Sequence, residues 1–572
     1  MRNITQNRSS QINTFDLSQL ESNFVKENFR EGQREAIEFI LNAYNSGKKI
    51  VIVEGPTGSG KTAIGMTVAN FFANSYYVTS SKQLQDQLDQ EFGSSISVLK
   101  GRNSYNCTLY GRYEKVLENI MPIDELKAKI KNPPSCDEGF CKTSYGKAFK
   151  LTGGKCKKCF VTDMRGDLKH TVDGEYSDCP YYDKAYITAN SNKAVMNFSS
   201  FMFQTNFSQL FKEPRDLVVI DECHNTETQL LDFISLSISD RQLRKHGLVL
   251  PIYDNPDQYV DWFNDNNVID ILRNEYIDAK AREDFKAESE LKSLILKMTK
   301  FVSEIENGTC EWVSQVSQFK DSISVTFKPV FVKDYVYPYL FSKGKHVLMM
   351  SATVLNANII CDNLGINRSD VAAYRMKNRF PVKNRPIFVN TVGKFTGGKD
   401  AMSQWAPKLL DKVEEISSKY VGKRGIIHTH NFAIHDYIID NCSNDLRRRL
   451  LSQKRFASKQ DLMDEHARSI DTIIVAPAMH EGVDLKDELS RFQIICKVPF
   501  PNCFEDLQLK RRVELDRAFY TWLVALKLVQ SYGRSIRSET DYADTYILDG
   551  SIHKFLTDAK SILPSWFTEA IK

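Results

Sequence analysis

Eight residues constrain this 572-residue chain more than any others. GPTGSGKT, residues 55–62, lies between the apolar β-branched run KKIVIVEG and TAIGMTVANFFAN, which reads as a helix. A strand, a glycine-rich turn and a helix in that order wrap backbone N–H groups around phosphates. Gly55, Gly58 and Gly60 permit the tight wrap, Lys61 reaches the outer phosphates and Thr62 holds magnesium. The expectation is a protein that binds ATP with Mg2+ on a parallel sheet.

The rest of the chain is too long for a single core, and its strand signals fall into two groups. YYVTSS, DLVVIDE and KHVLMMSAT belong with the first sheet, and RPIFVN, RGIIHTH, DTIIVAP and FQIICKV form a second group separated by helical stretches such as SQWAPKLLDKVEEISS. The spacing predicts an α/β chain with two motor domains. The first is assembled from residues 1–100, 185–224 and 345–375, and the second is residues 376–572. Residues 101–184 form a cysteine-rich insertion. Residues 225–344 form a second one, predicted helical from the apolar periodicity of IDILRNEYIDAKAREDFKAESELKSLILKMTKFVSEIE.

Two further segments carry chemistry. DECH, residues 221–224, follows the buried run DLVVI, so Asp221 and Glu222 stand at the end of a strand near the phosphate loop. Asp221 suits magnesium, and Glu222 suits orienting and deprotonating an attacking water. QSYGRSIRS spaces Arg534 and Arg537 by three, as on a helical turn, so both can neutralise a transferring phosphoryl group. On that segment alone a solvated basic face accounts for the arginines equally well.

With these motifs in this order, the chain resembles the XPD/DinG branch of superfamily 2, the iron-sulfur helicases. FREGQREAI resembles that family's adenine-reading segment, with Arg30 and Gln33 at the matching positions; YVTSSKQLQDQL resembles its strand-gripping motif and AVMNFSSFM its asparagine-aromatic segment. LMMSATV matches the coupling motif at Ser351 and Thr353. MHEGVDLKDELSRFQIICKVPFPN places Gly482 and Asp484 at nucleotide-site positions, and QSYGRSIRSETDYADTYILD fits the arginine motif, with Gln530 at its head. Cys223 stands where the family has alanine, a small apolar exchange, and RGIIHTHNF is a looser match to the fourth motif. The resemblance implies two RecA-like motor domains with ATP between them, the first carrying iron-sulfur and arch insertions. It also implies 5′ to 3′ movement on single-stranded and forked DNA by a monomeric motor.

Six of the twelve cysteines crowd one insertion: Cys107, Cys136, Cys141, Cys156, Cys159 and Cys179. In a reducing compartment such crowding points to a metal. GRNSYNC and CPYYDKA resemble the surroundings of the family's first and last cluster ligands, which implies that Cys107 and Cys179 hold a [4Fe-4S] cluster. Cys156 and Cys159 are the preferred middle pair, with Cys136 and Cys141 the DinG-like alternative. A zinc ion on Cys136, Cys141, Cys156 and Cys159 is the rival reading. Tyr105, Tyr110, Arg112, Tyr113, Lys157 and Lys158 are candidates to stack on or steer a single strand, against core packing as the alternative.

Composition excludes little. An apolar fraction of 42% and a charged fraction of 26% describe an ordinary globular protein, and a net charge of +4 leaves a polyanionic partner undecided. No stretch approaches the roughly 20 apolar residues of a membrane span, so a cytoplasmic protein, or a nuclear one in a eukaryote, is expected. An RNA-directed motor and an ATP-switched nucleic-acid clamp are the competing functions; the intact set Glu222, Arg534 and Arg537 favours hydrolysis.

Overall fold

The computed structural model describes residues 15–140, 160–162, 168–170, 179–281, 285–319, 322–395, 398–477, 479 and 485–572. Among these, seven strands form one parallel sheet, in the order Val371–Arg375, Ile50–Glu54, Gly344–Ser351, Arg215–Asp221, Ser75–Thr79, Lys193–Asn197 and Ser97–Leu99. Its central strands are buried on both faces because helices cover both. Val51, Val53 and Tyr77 pack under the helices Gln33–Asn45 and Lys61–Asn70, while Ile50, Ile52 and Tyr76 face the opposite core.

The second sheet has six parallel strands, ordered Ile387–Gly393, Asp544–Asp549, Phe492–Ile495, Gly425–His428, Ile473–Ala476 and Leu450–Ser452. The fold is thus α/β with two parallel sheets, as the strand signals predicted.

Residues 225–344 depart from the all-helical expectation. Helices Pro256–Asp265, Val268–Ala281 and Phe285–Glu306 are present. They pack on an antiparallel sheet ordered Leu236–Ser239, Ser322–Pro329 and Trp312–Phe319. WVSQVSQF and SISVTFKP alternate with period two, a signal overshadowed by the longer helical pattern before them. Tyr259, Phe263, Phe301 and Phe327 form the aromatic core between these helices and the sheet.

In the cysteine-bearing stretch, Tyr110 is fully buried edge-on to Phe140, and the Tyr105 hydroxyl accepts the Lys100 N–H. Tyr110 is therefore core rather than a stacking surface. Among the described residues no helix is long and apolar enough to cross a membrane.

Candidate active site between the two sheets

The phosphate loop leaves the Ile50–Glu54 strand and ends where Gly60 caps the Lys61–Asn70 helix. Gly58 and Gly60 hold left-handed φ values of 81° and 77°, which side chains with a Cβ rarely adopt. Arg30 and Gln33 brace the loop from behind. Arg30 Nη1 donates to Gly58 O at 2.7 Å, Gln33 Nε2 donates to Ser59 O at 3.1 Å and Gly60 O at 3.3 Å, and Gln33 Oε1 accepts from Arg30 N. Lys61 Nζ donates to Gly55 O at 3.2 Å.

Asp221 ends the strand Arg215–Asp221, which the strand Gly344–Ser351 separates from Ile50–Glu54, and is buried at 3% exposure. Burial, reinforced by the adjacent Glu222 charge and opposed by Lys61, pushes its carboxyl up to about 6. Its Oδ2 accepts from the Tyr77 hydroxyl at 3.0 Å and its Oδ1 from Glu222 N at 3.0 Å.

Beyond it a polar line crosses from one sheet to the other. Gln530 Nε2 donates to His224 Nε2 at 2.8 Å, which leaves the proton of a neutral His224 on Nδ1. His224 Nδ1 meets Ser351 Oγ at 2.7 Å, and the Ser351 hydroxyl donates to Glu222 Oε2 at 3.4 Å. Gln530 also reaches Thr353 Oγ1 at 3.4 Å.

The Arg517–Tyr532 helix stops short of both arginines, so Arg534 and Arg537 are not on a helical turn. They lie on the turn beyond Gly533, where Asp541 Oδ2 accepts the Arg537 N–H at 3.2 Å. Their convergence is nonetheless present. Lys61, Glu222, His224, Gln530, Arg534 and Arg537 all line one cavity of about 550 Å³ between the two sheets. Gly482 and Asp484 lie outside the described residues. Motif reading missed Tyr77; the available signal was a phenol in an otherwise apolar buried strand, whose hydroxyl needs a partner.

Residues 415–570 match the helicase C-terminal domain model, and residues 26–132 match the model of the type III restriction enzyme res subunit. The ATP-dependent DNA helicase CHL1 of Eremothecium gossypii is 20% identical over 462 residues, 65% of this chain and 57% of that protein. Its namesake in Kluyveromyces lactis is 19% identical over 485 residues, 69% of this chain and 59% of the relative. The chain thus spans less than two thirds of the length of these relatives. A solved XPD helicase structure covers 94% of this chain and 98% of its own at 15% identity, with a TM-score of 0.58. Xpd4 of S. tokodaii covers 95% and 99% at 13% identity, with a TM-score of 0.50. The two parallel sheets are those of an XPD-like, RecA-type pair. These likenesses support an XPD/DinG-like superfamily 2 reading of the chain.

Cys156 and Cys159, the preferred middle pair, lie outside the described residues, while Cys136 of the alternative pair lies with Cys107 and Cys179. The bridge between Asn106 and Ser135 and the bond from Cys136 N to Tyr105 O join the first two segments. The Cys136 thiol donates to Cys179, which lowers Cys179 to about 6 and raises Cys136; burial raises Cys107. Cys141 also lies outside the described residues. Among the described residues, no group of three His, Cys, Asp or Glu side chains could by itself hold a metal ion.

Proposed function

We propose that this protein is an ATP-dependent DNA helicase that moves 5′ to 3′ along single-stranded DNA and opens forked duplexes as a monomeric motor in cytoplasm or nucleus. One observation carries the reading: the cavity is lined by Lys61 and Glu222 from the first sheet and by Arg534 and Arg537 from the second. Lys61 binds the outer phosphates, Thr62 and Asp221 hold magnesium, Glu222 orients and deprotonates water, and the arginines neutralise charge in the transition state. A site shared by two sheets couples hydrolysis to their relative motion. Arg30, Gln33, Gln530, Gly482 and Asp484 complete the nucleotide site by resemblance. The names and fold of the relatives support DNA as the track.

Cys107 and Cys179, with Cys156 and Cys159 or with Cys136 and Cys141 as the middle pair, offer soft thiolate donors suited to a [4Fe-4S] cluster, with zinc on Cys136, Cys141, Cys156 and Cys159 as the alternative. Bound there, the group would cross-link the insertion; no redox role is assigned. Iron, sulfide and zinc content of anaerobically purified protein separates the two.

The test of the motor is hydrolysis of ATP with single-stranded DNA or RNA added, followed by strand separation on duplexes with a 5′ or a 3′ tail. K61A abolishes both activities, and E222Q binds ATP but hydrolyses it at least about a hundredfold more slowly. DNA-stimulated turnover in K61A, or unwinding only from 3′ tails, overturns the corresponding part.

A further inference from the structure

Tyr77 stands on the Ser75–Thr79 strand opposite Val219 of the Arg215–Asp221 strand, with 2% of its surface exposed. Its ring passes beneath the phosphate-loop helix at Gly65. A Cβ there would come within 3.1 Å of Tyr77 Cε2 and 2.6 Å of Met350 Cε, so the absence of a side chain at 65 makes the slot for the ring. The slot delivers the phenol hydroxyl to Asp221, a group read as a magnesium ligand. That hydroxyl donates to Asp221 Oδ2 at 3.0 Å.

The Tyr77 hydrogen on Oδ2 and the Glu222 N–H on Oδ1 at 3.0 Å hold the Asp221 carboxylate at both oxygens and leave its remaining lone pairs for the cation. Partners that orient ligands in this way tune metal affinity.

We propose that Tyr77 is a positioning residue for the magnesium that accompanies ATP, acting through Asp221. The inference rests on the nucleotide-binding reading above and adds to it a residue outside the phosphate-loop and DECH motifs.

Y77F keeps the ring and removes the hydrogen bond to Asp221. Y76F is the control: its hydroxyl donates to Glu213 O at 3.4 Å, and the residue packs on the opposite face of the sheet. The measurement is the affinity for ADP by calorimetry, with and without magnesium, on the full chain. The parent and Y76F bind ADP more tightly with magnesium. Y77F loses about tenfold of that gain while its magnesium-free affinity is unchanged, and in turnover its requirement for magnesium rises. Each comparison is internal to one variant, so a general loss of stability in Y77F lowers both affinities together; that outcome, or a full magnesium gain in Y77F, overturns the positioning role. A parent chain with no magnesium-dependent binding overturns the nucleotide reading itself and this inference with it.

Discussion

Glu222 holds a left-handed φ of 53°, uncommon for a residue with a Cβ. That conformation turns the chain sharply at the strand end, so that Asp221 and His224 are both buried while Glu222 reaches the cavity. The Gln530–His224–Ser351–Glu222 line makes the Glu222 carboxylate, proposed above to orient water, sensitive to the position of the other sheet. Gln530→Ala is therefore expected to lower DNA-stimulated turnover about tenfold, more than it weakens ATP binding, as outer hydrogen-bond partners do; steady-state kinetics separates the two. Elsewhere His466, fully buried, contacts the Leu489 carbonyl through Nε2 and the Thr472 hydroxyl through Nδ1, so it is held neutral. Burial pushes it down to about 4 from 6.5. Since the unfolded chain binds that proton first, stability falls as pH drops from about 6.5 to 4 and is level above. The group contributes up to roughly 3 kcal/mol. Melting curves of the parent and His466→Gln across that window test it: the variant loses that component of the slope.

At the level of elements, the phosphate loop meets the arginine-bearing turn directly. A Cβ on Gly58 would lie 2.6 Å from Arg537 O. Gly58→Ala therefore combines about 1–2 kcal/mol of backbone strain with a collision between the two motor domains. Its expected outcome is a loss of ATP hydrolysis well beyond the change in melting temperature, checked by both measurements on one preparation. The same turn shows where element reading failed. Three-residue spacing at Arg534 and Arg537 suggested a helix, but the chain leaves helical geometry at Gly533, and the buried Ser535 hydroxyl bonds Gln493 on the second sheet and Ser490 just before that strand. Those tertiary partners, not local propensity, aim the arginines. The short strands Ser97–Leu99, Lys193–Asn197 and Leu450–Ser452 were also missed, because runs of three to five residues carry little periodicity before a neighbouring strand pairs with them.

On the scale of the whole molecule, the two halves are also joined away from the cavity. Arg512, on the helix Leu507–Leu515, is 1% exposed and its guanidinium lies 4.4 Å from the ring centroids of both Phe331 and Phe519. It donates to Asn363 Oδ1 at 2.8 Å and Asp516 Oδ2 at 2.9 Å, and its Nε faces Glu227 Oε1 at 3.5 Å. Glu227 lies on the helix that follows DECH, and its burial pushes its carboxyl up to about 7 despite that cation. Removing one partner of a buried pair leaves the other uncompensated, so Arg512→Ala is expected to cost about 3–5 kcal/mol of unfolding free energy. Denaturant titration measures it, with Arg512→Met, which keeps packing volume, recovering part if burial rather than charge dominates.

The sequence alone determined the phosphate loop, DECH, the α/β class with its two groups of strands and the residues that converge on the cavity. Each of these is written locally, in glycine spacing, apolar runs and side-chain chemistry. Only the tertiary structure decided that Arg534 and Arg537 point inward from a turn, that an antiparallel sheet stands among the helices of residues 225–344, that Cys136 lies with Cys107 and Cys179, and that Tyr77 bonds Asp221. In each case the partners lie far apart along the chain, and the contact that defines the role exists only once the sheets have brought them together.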